Sequence, residues 1–342
     1  MRGWRTSSMG RNRTRSVPLR LLAAGGLALL AAAASLCLGA VSVSPGELLE
    51  VLLGNGGGTA RSILLLVRAP RTLGCLLAGA ALAASGAIIQ TVMSNPLAAP
   101  NIIGVNSGAG FFVAACSALL PAGLAVKLSP LAAFLGAFSC VMLVLLIAEK
   151  AGSSRIVLVL AGVAISGMFG AGTDTVVTLV PDALTGYSDF RIGGLANVTM
   201  EQVAPAMWVI LLCLAGMLLL SNELDVLTLG SDTAQSLGLP VKRIRVLALA
   251  AAAALAGAAV SFSGLLGFVG LIVPHMVRRL IGSEARNLLL GCALGGAALL
   301  TLCDIAARLL FAPYELPVGI VLSFAGGPFF LWLLIRKRGH QM

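Results

Sequence analysis

The chain has 342 residues, of which 58% are hydrophobic and 11% are charged, and its mean hydropathy is +1.01. This composition excludes a water-soluble globule because it supplies too little polar surface to cover one. The net charge of +10 does not require a nucleic-acid partner, since basic cytoplasmic loops beside anionic lipid headgroups account for it. We therefore expect an all-α polytopic membrane protein.

A helix that crosses a bilayer needs about 20 apolar residues. Ten stretches of the sequence meet that need, and their centres lie near residues 30, 82, 110, 136, 167, 211, 254, 273, 298 and 326. The seventh and eighth stretches share an uncharged run, residues 246–277, that is too long for one ordinary span. Glycines 264, 267 and 270 predict the turn between them.

The ten stretches form one transmembrane domain, residues 21–336, between a basic tail (1–20) and a short tail (337–342). Alternate gaps, starting with the first tail, carry 17 of the 23 Lys and Arg residues, and the other gaps carry six. Basic residues are retained in the cytoplasm, so both termini are predicted to be cytoplasmic. A cleaved signal peptide is the alternative for the first stretch, but its apolar run exceeds the usual 7–15 residues.

The sequence indicates neither a metal site nor a nucleotide site. All seven cysteines lie in apolar segments without CxxC spacing, which is typical of buried hydrophobic residues. A Walker A motif needs Gly immediately before its Lys, and the four lysines follow Val126, Glu149, Val241 and Arg336. We expect no catalytic residue, no metal and no cofactor in this chain, so that any ATPase is a separate subunit.

An ordered series of short motifs covers residues 60–335. It comprises Arg68-Ala-Pro-Arg71, Gly79 to Gly86, Asn95-Pro-Leu-Ala98, Gly104 to Ala109, Ala161 to Ala164, Gly230 to Gly238, Gly267 to His275, Asp304 to Arg308 and Glu315 to Gly319. The series resembles the FecCD-type permease family, the membrane subunits of ABC importers for iron-siderophores, haem and vitamin B12. One segment, residues 190–195, departs from the aromatic-rich version that many relatives have.

The resemblance implies a bacterial plasma-membrane protein with ten spans. It also implies a second permease subunit, in a homodimer or a heterodimer, and two cytoplasmic ABC ATPase subunits that hold ATP-Mg. An extracytoplasmic substrate-binding protein would deliver the cargo, for which ferric siderophore is the first expectation and haem or cobalamin the alternatives. Transport would proceed by alternating access.

Arg68, Arg71 and Arg308 are the candidates for docking the binding protein. Arg68 and Arg71 are three residues apart at the predicted outer end of the second span, so they point to similar sides of a helix. The resemblance implies that these arginines bind acidic residues of the binding protein. Guanidinium groups suit this role because they bind carboxylates in a bidentate manner. Anchoring among lipid headgroups is the alternative, and Arg308 could instead pair with Asp304 four residues earlier.

A cytoplasmic gate is predicted where the second span ends. Pro96 prevents the helix from continuing, and the amide of Asn95 can satisfy freed backbone groups. By resemblance, this turn of Asn95, Pro96 and Leu97 forms the gate together with Ser153 and Ser154. An ordinary helix-ending turn is the alternative.

Residues 221–245 are the predicted coupling segment for the ATPase. Ser231 or Asp232 can cap a short helix that Gly238 ends, with Ala234 and Leu237 on one face. Such a helix between two spans suits docking of another subunit, and an ordinary surface loop is the alternative.

Two carboxylates in predicted spans, Asp174 and Asp304, are functional candidates because charge is costly in a membrane. Together with Asn106 and Ser107, they are assigned to the substrate pathway or to packing. The competing function is an ion-gradient-driven secondary transporter that uses Asp174 and Asp304. A membrane-embedded enzyme would need clustered catalytic groups, which the sequence does not supply.

Overall fold

The computed structural model describes residues 17–39, 44–53, 58–151 and 155–338, and every regular element within them is helical. We number the α-helices in chain order. They are α1 (Val17–Cys37), α2 (Pro45–Leu52), α3 (Gly58–Ser62), α4 (Ala69–Val92), α5 (Val105–Leu119), α6 (Ala122–Lys150), α7 (Arg155–Leu179), α8 (Ala183–Ile192), α9 (Met200–Leu219), α10 (Ser221–Thr228), α11 (Ser231–Ser236), α12 (Val241–Ser263), α13 (Val269–Leu280), α14 (Ala285–Leu309) and α15 (Val318–Arg338).

The predicted all-α membrane fold is confirmed. All ten predicted centres fall inside helices, namely α1, α4, α5, α6, α7, α9, α12, α13, α14 and α15. Within the described ranges, seven helices are long and apolar enough to cross a membrane, and in one of them the π-helix Ile63–Arg68 continues directly into α4. Val105–Leu119 and Val318–Trp332 are shorter apolar helices, and α13 has only 12 residues.

The turn between α12 and α13 lies where the glycines predict it. Gly264 ends α12 with φ +67°, and Phe268 precedes α13 with φ +65°, a left-handed conformation that a phenylalanine rarely adopts. Gly270 was predicted to lie in this turn, and that prediction is wrong because it lies inside α13. A Cβ there would lie 2.7 Å from the carbonyl oxygen of Leu82, so this glycine serves close helix packing.

The core of the chain is built from α4, α12 and α14, most of whose side chains are buried, whereas α1, α7 and α9 lie at the periphery. Small residues explain the central packing of α4. A Cβ on Gly79 would overlap the backbone carbonyl of Gly296 in α14, and a Cβ on Gly86 would overlap that of Gly270 in α13. Backbones approach this closely only where side chains are absent, as is usual between transmembrane helices.

The connection from α1 to α4 contains the short helix α2. Ser44 and Glu47 form a capping box, in which the Ser44 hydroxyl accepts from the Glu47 N–H and the Glu47 carboxylate accepts from the Ser44 N–H. Hydrogen bonds from the backbone and the side chain of Ser44 lower the pKa of this exposed carboxyl group.

The connections between successive helices lie at two opposite ends of the bundle, and long-range contacts show which of them share an end. At one end, Arg71 at the start of α4 pairs with Asp304 near the end of α14. At the other end, Glu149 of α6 pairs with Lys242 of α12, and Arg20 of α1 donates to the Leu280 carbonyl. This division agrees with the alternation assumed for the basic residues, and the cytoplasmic identity of the second end stays a prediction. We call the first end the outer end and the second the inner end.

Candidate functional site: a buried charge cluster and an inner coupling segment

Asp304 is the centre of a buried charge cluster at the outer end. Asp304 is fully buried. Nε of Arg71 donates to both of its carboxylate oxygens at 3.1 Å, and Nη2 of Arg71 donates to Oδ1 at 3.0 Å. Arg308, one helical turn further along α14, approaches Oδ2 with its Nε at 3.2 Å. The sequence-derived pairing of Asp304 with Arg308 is therefore present. Two guanidinium groups compensate one carboxylate that could not remain charged alone in this environment.

Arg68 and Arg308 bind the last carbonyl groups of α1. Nη1 of Arg68 donates to the carbonyl oxygens of Leu36 and Cys37 at 2.6 and 2.8 Å. Arg308 donates to the carbonyl oxygen of Ser35 at 3.2 Å and to its hydroxyl at 2.8 Å. The final carbonyls of a helix have no partners within it and carry partial negative charge, so cationic donors stabilise that end. The two arginines thus attach peripheral α1 to α4 and α14.

The three arginines predicted to dock the binding protein are only 4–5% exposed, and the structure gives each of them partners inside the chain. Docking by these groups stays a prediction, and it would require their internal contacts to rearrange. Glu315, which belongs to one of the sequence motifs but was not predicted as a site residue, is the member of the cluster nearest to solvent. Its Oε2 lies 2.6 Å from Nη1 of Arg71, and its side chain is 33% exposed. Its position a few residues after Asp304 and Arg308 is the sequence feature that could have indicated its place in the cluster.

The other predicted pathway carboxylate, Asp174, has a different environment from Asp304. It is exposed on α7, close to the outer end of that helix, and it forms no part of the charge cluster. Asn106 and Ser107 lie half-buried in the first turn of α5 at the inner end. These environments favour packing for Asp304 and a pathway position for Asp174, and both roles stay predictions.

The predicted gate turn is present at the inner end of α4. Oδ1 of Asn95 accepts from the N–H of Leu97 at 3.0 Å, an Asx-type contact across Pro96. Asn95 and Pro96 are exposed. Ser153 and Ser154, the other predicted gate residues, lie outside the described residues, so gating by this set stays a prediction.

The short helix predicted within the coupling segment is present as α11, and Gly238, with φ +83°, follows its end as predicted, while its coupling role stays a prediction. The predicted cap differs, because Gly230 occupies the N-cap position with φ +101°, and Ser231 and Asp232 lie in the first turn. Ala234 is fully buried, whereas Leu237 is 64% exposed. They do not share one environment, since Leu237 lies where the helix ends.

A cleft of about 430 Å³ lies beside α11 at the inner end. Side chains from α6, α7, α11 and α12 line it, and its polar members include Glu149, Ser231, Gln235, Lys242 and Arg245. Nη2 of Arg245 donates to the Ser231 hydroxyl at 3.1 Å, which joins α12 to the first turn of α11. α11 therefore contacts the membrane helices, whereas Leu237, directly after its last residue, is exposed.

The described helices form a bundle with a buried charge cluster at its outer end and an exposed helix at its inner end, which is the architecture of a polytopic membrane protein. Residues 27–336 match the FecCD transport family, and the chain belongs to that family.

The chain is also similar in sequence to several transport permeases. The chain is 38% identical to the hemin transport system permease protein of Yersinia pestis over 82% of this chain and 85% of that protein. It is 35% identical to the achromobactin transport system permease protein of Dickeya dadantii over 98% and 96%. It is also 36% identical to the Fe(3+) dicitrate transport system permease protein FecC of Escherichia coli over 89% and 92%.

Two solved structures are similar to the chain. One is described as an inward-facing conformation of a metal-chelate type ABC transporter, and it matches with a TM-score of 0.84 and 30% identity over 93% of this chain and 99% of that chain. The other, PsaBC from Streptococcus pneumoniae, matches with a TM-score of 0.58 and 18% identity over 77% and 89%, which shows a similar fold alone.

Proposed function

We propose that this chain is the permease subunit of an ATP-driven importer of ferric chelates in the bacterial cytoplasmic membrane. The observation that carries the proposal is the near full-length similarity to permeases whose names specify hemin, achromobactin and ferric dicitrate transport. The chain is a transport subunit and not an enzyme. ATP-Mg is bound and hydrolysed in partner subunits, because the sequence has no Walker A motif.

Ferric siderophore is the cargo that we propose. Achromobactin and dicitrate transport are named among the similar proteins, alongside hemin transport. Haem and cobalamin are the alternatives. Uptake of radioactive iron presented as each chelate in turn identifies the cargo, and competition by unlabelled cobalamin or haem would favour the alternatives.

A second permease subunit completes the transport path in this proposal. The exposed face of α7 supports it, since Gly167, Ala171, Asp174 and Thr178 recur along that face at helical spacing. Asp174 is unsuited to lipid, because a charged side chain in hydrocarbon is costly. A water-filled path between two subunits would instead accommodate it.

The coupling segment is the proposed contact for the ATPase subunits, and the outer end receives the substrate-binding protein. Support for the inner contact comes from α11 and the residue that follows it, because Ala234 within the helix is buried whereas Leu237 directly after it is exposed. Nucleotide-driven movement of the ATPases would press on α11 and shift the helices behind it, so that the path opens alternately to the two sides.

Leu237→Asp is expected to abolish ATP-dependent chelate uptake while leaving the chain inserted in the membrane. Placing a charge on an exposed apolar contact removes its burial against a partner and makes that contact costly. Co-purification of the ATPase with the variant, followed by uptake in vesicles, measures the effect. The matched control is Leu119→Asp, which changes a Leu of 81% exposure at the outer end of α5 and should leave ATPase co-purification intact. Normal uptake by Leu237→Asp would contradict the assignment of α11.

The energy source separates the proposed function from the competing secondary transporter. Vesicles that contain the permease, the ATPase and the binding protein should take up chelate when ATP is supplied and should continue after the proton and sodium gradients are collapsed. Uptake by the isolated chain, driven by an ion gradient, would contradict the proposal.

A further inference from the structure

The helix that precedes the coupling helix is joined to α14 by one side chain. Oδ1 of Asp225, on α10, accepts a hydrogen bond at 2.8 Å from the N–H of Ala285, sixty residues further along the chain. Ala285 is the first residue of α14, and it is only 3% exposed. Its N–H has no partner within the helix, so this buried donor depends on an acceptor from elsewhere. Glu284, at the N-cap position, makes no side-chain cap.

The α14 helix leads from this contact to the opposite end of the molecule. It has 25 residues, which corresponds to about 37 Å at the usual rise. Near its far end are Asp304 and Arg308, the residues on which the outer charge cluster is built. A displacement of the first turn of α14 is therefore transmitted along one continuous helix towards the attachment of α1.

Two other polar contacts described for this segment, one from α12 to α6 and one from α12 to α11, are more exposed. Lys242 and Glu149 lie 2.5 Å apart, but their side chains are 65% and 42% exposed, and exposed ion pairs hold little. The link between Arg245 and Ser231 is also exposed. Asp225 instead places a negative charge at a helix N-terminus, where the hydrogen bond is charge-assisted and the helix dipole is favourable.

Apolar packing fixes α10 on the same side. Leu224 and Leu227 are buried in the main core, 1% and 6% exposed, and α10 is separated from α11 only by Leu229 and Gly230. Movement of α11 consequently reaches α10 across a very short connection. From α10 it can pass to α14 through the Asp225 carboxylate.

We propose that Asp225 is a positioning residue that transmits movement of the coupling segment to α14, and this inference rests on the proposed ATP-driven function. The partner of Asp225 is the backbone N–H of Ala285, and its role is to keep α10 and the start of α14 moving as one unit. Without it, ATP hydrolysis continues in the partner subunits, but less of the movement reaches the transport path.

The test uses the complete complex of permease, ATPase and binding protein reconstituted in vesicles, with ferric siderophore as the probe. Asp225→Ala removes the acceptor, whereas Asp225→Asn keeps an oxygen that can accept from Ala285 but removes the charge. The control is Asn222→Ala, an exposed position on the same helix. The measured quantity is the amount of iron transported per ATP hydrolysed, because a purely structural cap would alter the quantity of complex and leave this ratio unchanged.

Asp225→Ala should assemble and hydrolyse ATP, while its transport per ATP should fall by roughly fivefold or more. Asp225→Asn should lie between that variant and the wild type, and Asn222→Ala should match the wild type. The inference is overturned if Asp225→Ala keeps the wild-type ratio, or if it fails to assemble while Asp225→Asn keeps the wild-type ratio. A wild-type complex without ATP-dependent uptake would contradict the proposed function itself, and the inference with it.

Discussion

Asp304→Ala is expected to destabilise the folded chain by about 3–5 kcal/mol, because removing one partner of a buried ion pair leaves uncompensated charge. Here the loss falls on two guanidinium groups, those of Arg71 and Arg308, which are 5% and 4% exposed. The measurement is the thermal unfolding of the detergent-solubilised protein, followed by size-exclusion chromatography after heating.

The control for this prediction is Asp174→Ala, which removes a carboxylate that is exposed and lies outside the charge cluster. Its unfolding temperature should stay near that of the wild type. A second comparison replaces Asp304, Arg71 and Arg308 together by apolar residues. This triple variant leaves no buried guanidinium without its carboxylate, but Glu315 and one of the last carbonyl groups of α1 lose their arginine donors, so it should recover only part of the lost stability. An unfolding temperature for Asp304→Ala equal to that of the wild type would show that the cluster does not stabilise the fold.

The same geometry bears on the competing secondary transporter. A proton carrier needs a carboxylate that can gain and lose its proton during transport. The Asp304 oxygens are held by Arg71 and Arg308 and are shielded from solvent. These contacts favour packing as the role of Asp304, so of the two candidate carboxylates Asp174 is the better suited to an ion-coupled mechanism.

The positions of the membrane helices could be predicted from the sequence because each depends on a local property, the length of an apolar run. The break between α12 and α13 was also local, since Gly264 marks it. Partners of the arginines could not be predicted in the same way. Arg71 and Asp304 are 233 residues apart, and only the packing of α4 against α14 brings them together. The short-range pair of Asp304 with Arg308 was accessible because it follows helical spacing.

The coupling segment shows the same division. The existence of α11 and its end at Gly238 follow from local residue preferences. Its first residues were assigned a capping role on the same grounds, but Gly230 takes the N-cap position. The Ser231 hydroxyl instead accepts from Arg245, fourteen residues later in the chain. A tertiary contact therefore uses the side chain that local preference assigned to the cap. The contact between Asp225 and Ala285 likewise could not be predicted from local preferences, because the two residues are 60 positions apart in the sequence.

Gly86→Ala is expected to disrupt the packing of α4 against α13. The added Cβ would overlap the carbonyl group of Gly270, and backbone cannot rotate away as a flexible side chain can. Overpacking costs about 1–3 kcal/mol where side chains can adjust, and we expect the upper part of that range here because the obstacle is backbone. Gly86→Val should cost more than Gly86→Ala, since the helices must separate further. The measurement is the unfolding temperature of each purified variant, compared at equal expression.

The matched control is Gly216→Ala in α9. An added Cβ at that position meets no heavy atom within 4 Å, and alanine favours a helix over glycine by about 1 kcal/mol. Gly216→Ala should therefore be neutral or slightly stabilising. If Gly86→Ala and Gly216→Ala unfolded at the same temperature, the close approach of α4 and α13 at Gly270 would be contradicted. If only Gly86→Ala is impaired, the small residues of α4 are required for packing, because glycine in a helix otherwise offers no advantage over alanine.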